Sequence, residues 1–329
     1  MKNGEFWYDT DGNVIHAHGG WILKIEDYYY WYGENRTGKN FVSCYRTRDF
    51  KSFEFRNHVL TADSPTEAYF HKNDLELKKE FSQEVIKPNL MPRRDGDGKV
   101  LAIIERPKVL YCPETKKYVM WMHYETGADY SAACCAVATC DTPDGDFVYH
   151  GCFRPFGKES RDCTVFEADG DAYFVSSSRG NKDLYVYRLT EDYQNVEDVV
   201  KVLFQHRNRE APAFFTKDGQ HYVLTSMCTG WRPNQGGWAV TRDGKMDGRW
   251  SLIYPFGDET TYRSQMSFVL PVEENGKTEY YYFGDRWGGS GELYHESTYV
   301  VLKIRFDEKG NPYIKYDEDA EMPFSEKEV

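Results

Sequence analysis

Five times along this chain a polar residue opens an apolar run, a turn follows, and an aromatic-rich run returns. The first copy is HGGWILKIEDYYYWYGEN from His18, turning at Glu26-Asp27. The second is ERPKVLYCPETKKYVMWMHYE from Glu105, turning at Pro113-Glu114. RDCTVFEADGDAYFVSSS from Arg161 turns at Asp169-Gly170, and REAPAFFTKDGQHYVLTS from Arg209 turns at Asp218-Gly219. The last, SQMSFVLPVEENGKTEYYYFGDRW from Ser264, turns near Asn275-Gly276. Gly, Asn and Asp at such turns supply the positive φ angles that tight hairpins require. Each hairpin is followed by one or two further strand-like runs, among them FVSCYRTRDFKSFEF and DLYVYRLTEDYQNVEDVVKVLF. Five sets of about four strands predict an all-β chain folded as a five-bladed β-propeller.

That architecture gives the opening residues a common meaning. The innermost strand of every blade runs along the central channel, so residues at one end of those strands converge on one mouth. His18, Glu105, Asp162, Glu210 and Gln265 then face a single pocket. One such residue alone reads as a solvent-facing strand cap. Five in register, three of them carboxylates, read as a site.

Composition supports this. The 26 Tyr and 20 Phe suit pleated, half-buried surfaces, and 329 residues fit one large all-β domain over 1–329. Lys plus Arg number 41 against 53 Asp plus Glu, a net charge of −12. Such a chain repels phosphate backbones, which argues against nucleic acid and anionic membrane as partners. The eight cysteines include no CxxC pair and read as reduced, mostly buried thiols. No apolar run is long enough to span a bilayer, and the N-terminus has no apolar signal core. The expected compartment is the cytoplasm, unless a signal peptide has been removed. One stretch, at about 61–104, breaks the repeat as an insertion. Its middle, 67–87, predicts a short amphipathic helix before Pro88, with a pocket wall or a contact between subunits as roles. The chain is then a monomer or a homo-oligomer joined through that insertion.

Three acids in one pocket point to hydrolysis of a glycosidic bond. An inverting enzyme needs a protonated carboxyl on one side of the scissile bond and a base on the other, roughly 6.5–9.5 Å apart. Glu210, flanked by Arg209 and Ala211-Pro212-Ala213, has partly apolar surroundings that raise a carboxyl pKa, and Asp162 raises it further. Trp231, Trp287 and Tyr130 offer flat surfaces to a sugar. His16 and His18 share a strand face, but no spaced carboxylate follows, which argues against a catalytic metal. Neither a phosphate-binding loop nor a serine-nucleophile elbow is present.

In order along the chain, the phrases DTDGNVIHAHGG, YYWYGEN, ERPKVLY, YVMWMH, SRDCTVF, EAP, TGWRPN, SQMSFVLP and GDRW resemble glycoside hydrolase family 43, and within it the exo-β-1,3-galactanase branch. The resemblance implies a five-bladed propeller, inversion, no redox cofactor and exo-attack on an oligosaccharide in a blind pocket. A structural calcium ion in the central channel is compatible with it. Carried over by position, Glu210 is the general acid and Asp162 its modulator. Glu105 and Arg106 hold the terminal sugar, and Gln265 lies near the anomeric carbon. Glu34, His18, Tyr130, Thr229, Trp231, Asp285 and Arg286 are further binding candidates. The first blade lacks the aspartate base of the wider family. That leaves Gln265 to position the water or to act through an imidic tautomer, with Glu105 as the rival base. Removal of arabinofuranose, xylose or galactofuranose, a phosphate-dependent cleavage using Arg106, Arg161 and Arg209, and a non-catalytic sugar-binding propeller stay open as alternatives.

Overall fold

The computed structural model describes residues 1–67, 93–95, 98–100, 102–127 and 129–324. Blade 1 comprises β1 (His18–Ile25), β2 (Tyr28–Glu34), β3 (Asn40–Thr47) and β4 (Glu54–Thr61). A small hairpin, β5 (Arg93–Asp95) and β6 (Gly98–Val100), precedes blade 2, made of β7 (Ile103–Cys112), β8 (Lys117–Glu125), β9 (Cys134–Cys140) and β10 (Val148–Phe153). Blade 3 holds β11 (Cys163–Ala168), β12 (Asp171–Ser178), β13 (Asp183–Leu189) and β14 (Val196–Leu203). Blade 4 holds β15 (Arg209–Lys217), β16 (Gln220–Met227), β17 (Gly236–Val240) and β18 (Tyr254–Phe256). Blade 5 holds β19 (Gln265–Glu274), β20 (Lys277–Arg286), β21 (Thr298–Phe306) and β22 (Pro312–Tyr313). Every blade is a four-stranded antiparallel meander. The first strands touch in turn, β1 to β7, β7 to β11, β11 to β15, β15 to β19 and β19 back to β1, which closes the ring.

The five hairpin turns fall where the sequence places them. Asp169-Gly170, Asp218-Gly219 and Asn275-Gly276 each put two successive residues at positive φ, the geometry whose twist matches the flanking strands. In the first turn the positive φ falls on Glu26. Five apolar clusters lie between neighbouring blades rather than within them, so each blade buries both faces. Trp31 and Phe283 join blades 1 and 5, for example, and Trp121 and Phe174 join blades 2 and 3. None of the eight cysteines is in a disulfide, and six are buried.

The insertion read at about 61–104 is shorter at its edges, because Thr61 ends β4 and Ile103 opens β7. Thr66 forms a parallel bridge to Tyr149, so the start of the segment runs along β10 at the outer edge of blade 2. The helix expected over 67–87 falls almost wholly outside the described residues. No described helix is long and apolar enough to cross a membrane.

Candidate active site

One local device aims the channel-facing side chains. Immediately after the polar residue, the β1–β2, β7–β8 and β15–β16 pairings lose register, between His18 and Trp21, Glu105 and Lys108, and Glu210 and Ala213. At each bulge the next residue has a left-handed backbone: Gly19 at φ +55°, Arg106 at +56° and Ala211 at +50°. A bulge bends the strand and re-aims the side chain beside it. Glycine is required at 19, since a Cβ there would lie 2.4 Å from Glu34 Oε1. Arg106 and Ala211 accept strain of about 1–3 kcal/mol each, a cost typical of functional positions. Each precedes a proline, which has no N–H to leave unpaired in the disrupted ladder.

These strand ends surround a cavity of about 280 Å³ lined by Glu34, Arg36, Glu105, Arg106, His123, Tyr130, Arg161, Asp162, Asn181, Glu210, Gly230, Trp231, Gln265 and Trp287. Its floor is Arg106, only 4 % exposed. That guanidinium donates to Gln265 Oε1 at 2.6 Å and to the Met266 carbonyl at 2.8 Å, and lies 3.2 Å from Asp162 Oδ2. Burial disfavours its charge, but Asp162, Asp285, Glu34 and Glu210 outweigh burial and hold it firmly protonated.

Glu105 and Glu210 sit in opposite environments. Glu105 Oε1 accepts from Arg36 at 2.8 Å and from the Tyr130 hydroxyl at 2.8 Å, while Oε2 lies 3.0 Å from His123 Nδ1. Burial works against its charge, yet His123, Arg36 and Tyr130 hold its pKa far below the ordinary carboxylate range. His123 lies between Glu105 and Glu125, its Nε2 2.9 Å from Glu125 Oε1. Burial would neutralise the imidazole, but the two carboxylates push its pKa up to about 10. Glu210 receives only Gln265 Nε2 at 3.1 Å, Asn181 Nδ2 at 3.2 Å and the Cys228 thiol. Burial, then the neighbouring Asp162, push its pKa up to about 8. Asp162 is held by the Ala211 N–H at 3.1 Å, so the bulge beside Glu210 also fixes the group that modulates it.

The Gln265 amide is saturated. Its Oε1 accepts from Arg106 and from Trp287 Nε1 at 2.8 Å, and its Nε2 donates to Glu210 and to Ser226 Oγ at 2.9 Å. Arginine and indole N–H groups are donors only, so the amide orientation is dictated by its partners.

Of the residues expected at the site, Glu34, Glu105, Arg106, Tyr130, Asp162, Glu210, Trp231 and Gln265 line the cavity. Glu34 is buried beneath it, bonded to the Arg106 N–H, Arg36 and the Tyr294 hydroxyl. Burial raises its pKa despite Arg36. His18 and Asp285 do not line the cavity. They lie below it, with His18 Nδ1 3.1 Å from Asp285 Oδ1, the Gly19 N–H on Oδ2 and the His18 ring stacked on Tyr299. Arg286 lines a smaller adjoining cleft, and Thr229 ties its own loop together through Arg232 O and Asn234. Both were placed by motif phrases, which locate a segment but not the direction of each side chain.

The sequence reading missed Arg36, His123, Glu125 and Asn181, whose signal was a charged or amide residue close to a strand end. It also missed Lys108. That side chain is fully buried, donates to the Gly19 carbonyl at 2.6 Å, and has its pKa pushed down to about 7 by burial and then by Arg106, with Cys163, Glu34 and Asp285 opposing. Glu105, His123 and Asp162 offer ligand atoms within 4.8 Å of one another. Both ring nitrogens of His123 are already bracketed by the carboxylates of Glu105 and Glu125.

One carboxyl kept protonated and another kept ionised in one pocket is the arrangement that cleavage of a glycosidic bond requires. The family model for glycosyl hydrolases family 43 matches residues 107–251. A protein of Bifidobacterium bifidum s17, described as a candidate exo-β-1,3-galactanase, is 30 % identical over 98 % of this chain and 99 % of its own, with a TM-score of 0.77. The exo-β-1,3-galactanase 1,3Gal43A of Clostridium thermocellum is 40 % identical over 96 % of this chain, with a TM-score of 0.81. This chain spans 65 % of that protein's length. The exo-β-1,3-galactanase Pc1,3Gal43A of Phanerochaete chrysosporium, solved with galactose, is 29 % identical over 97 % of this chain and 67 % of its own, with a TM-score of 0.78. No match is found among curated proteins. The chain belongs to glycoside hydrolase family 43.

Proposed function

We propose that this protein is an inverting, exo-acting glycoside hydrolase that releases terminal galactose from β-1,3-linked galacto-oligosaccharides or galactan. The observation that carries the reading is Glu210, a carboxyl whose pKa is pushed up to about 8 in a pocket floored by Arg106 and Gln265. Protonated at neutral pH, it gives its proton to the leaving oxygen as the glycosidic bond breaks. The floor of charged and amide groups suits a chain end rather than a chain passing through. The similarity to exo-β-1,3-galactanases supports the sugar and the linkage.

Gln265 positions the attacking water. A substrate that engages Glu210 displaces the amide N–H from the acid, while Arg106 and Trp287 keep Oε1 pinned. The same two donors leave no acceptor for the O–H of an imidic acid, so Gln265 in this arrangement orients the water without taking its proton. One observation favours Glu105 as the proton acceptor. Gln265 touches Glu210 and reaches the water only after substrate has parted the two, whereas Glu105 already stands two blades from the acid in the ring. The low basicity of Glu105 makes it a weak acceptor until substrate displaces one of its donors.

Phosphate-dependent cleavage has less support. Arg106 is engaged by Asp162, Arg161 lies 3.5 Å from Glu125, and Arg209 is absent from the cavity wall. Metal-free operation is part of the proposal. Calcium takes six to eight oxygen ligands, but both oxygens of Asp285 and of Glu34 are engaged by protein donors, and the Gly19 carbonyl is taken by Lys108. This donor set does not fit the ion. A monomer, or a homo-oligomer joined through segment 61–104, and a cytoplasmic setting unless a signal peptide has been removed complete the proposal, and light scattering on the full chain and a loop-shortened variant separates the two assemblies. The test of function is hydrolysis of β-1,3-galactotriose followed by proton NMR. Release of α-galactose as the first anomer supports the reading, and β-galactose or no turnover overturns it. Added chelator should leave the rate unchanged.

A further inference from the structure

Arg209 is the neighbour of the acid, yet strand alternation turns its side chain to the opposite face of β15. It is only 6 % exposed. Its Nε and Nη2 donate to Thr225 Oγ1 and to the Thr225 carbonyl, and among the described residues no carboxylate lies within ion-pair reach. A buried guanidinium without a counter-charge is unusual, because arginine is almost never buried unpaired. Desolvation pushes its pKa down to about 10.

This side chain opens into a cleft of about 500 Å³ separate from the catalytic cavity. Arg207, exposed and also without a carboxylate partner among the described residues, stands on the same wall. Among the described residues no acid lines the cleft, although the chain carries 53 acidic residues against 41 basic ones. The remaining rim sets Gln205 and Ser251 among Phe204, Ile253, Leu252 and Met227, with Leu252 70 % and Met227 48 % exposed. Met227 also begins the loop that carries Trp231 into the catalytic cavity, so the two openings share one wall.

We propose that this cleft is a second carbohydrate site that binds a uronic acid residue, its carboxylate on Arg209 and Arg207 and its ring against Leu252 and Met227. A guanidinium fork matches a planar carboxylate with two parallel hydrogen bonds, and the C–H face of a pyranose matches an apolar rim. The ligand class rests on the saccharide reading of the adjoining pocket, since a bare anion would need no apolar rim. A substrate with an acidic branch would then be held at both openings.

Binding without turnover tests it. Methyl β-D-glucuronide and methyl β-D-glucoside are titrated by calorimetry and ligand-observed NMR into the full chain and into Arg207→Gln and Leu252→Asp. The glucuronide is expected to bind, the neutral glucoside not, and each substitution to weaken binding about tenfold or more, as for loss of a hydrogen bond to a charged group. Excess galactose should not displace the glucuronide. Equal binding of both glycosides, displacement by galactose, or indifference to both substitutions overturns the site. Competition by acetate or sulfate as strong as by glucuronide assigns a generic anion site and overturns the sugar acid. Hydrolysis of neutral β-1,3-galactotriose is measured on the same variants. It should be unchanged, so failure of the cleft is distinguishable from failure of the proposed activity.

Discussion

Blades 2 and 4 present a glutamate to the same cavity with the same backbone device, a bulge, a left-handed residue and a proline, and yet the two carboxyls are driven in opposite directions. Glu105 is surrounded by Arg36, Tyr130 and a protonated His123, and stays ionised. Glu210 has two amides, a thiol and the negative Asp162 for neighbours, and keeps its proton to about pH 8. Both are half-buried, so burial is not what separates them. The charge of the next shell is. Two carboxyls pushed apart in pKa are what acid and anion roles in one pocket require.

The comparison breaks most completely at the acid. Glu210→Gln should lower turnover of β-1,3-galacto-oligosaccharides roughly 10²–10⁴-fold, with a smaller loss on an aryl galactoside whose leaving group needs no proton. Equal loss on both substrates would count against the role. Glu105→Gln leaves His123 and Arg36 without their shared partner and should cost on the order of 10²-fold in kcat/KM. If Glu105 also accepts the water's proton, azide will restore turnover in that variant and give an α-galactosyl azide. If Gln265→Ala instead keeps full turnover, Gln265 does not position the water.

A subtler intervention changes the neighbour rather than the acid. Asp162→Asn removes the negative charge that raises Glu210, so the alkaline limb of the pH–rate profile should move down by about one unit. An unmoved limb with lower activity would make Asp162 a sugar ligand only. The smallest effect is on stability. An unfolded glutamate releases its proton near 4.5, whereas folded Glu210 holds it to about 8. Between those values the folded state binds the extra proton, so stability falls as pH rises. Glu210→Gln should therefore melt several degrees above the parent at pH 8.5 and show no such gain at pH 4.

The blades and their hairpin turns were legible because the turn residues and alternating apolar runs are local signals. So was the convergence of Glu105, Asp162, Glu210 and Gln265, since a propeller turns equivalent strand ends into neighbours. Arg36, His123 and Lys108 were not legible. Their importance comes from what other blades bring to them, and a lysine inside an apolar strand carries no mark that it is wholly enclosed. Thr229 and Arg286 show the converse limit: a motif fixes the segment, while local hydrogen bonds decide where the side chain goes.

The central claim is the split between the two glutamates, and carboxyl carbon NMR reads it directly. With ¹³C at the glutamate δ position, and Glu210→Gln and Glu105→Gln for assignment, the account predicts a Glu210 signal that titrates near pH 8. The Glu105 signal should stay at its ionised shift through the whole acid range in which the protein stays folded. A Glu210 midpoint near 4.5, or a Glu105 signal that titrates near neutrality, would contradict it.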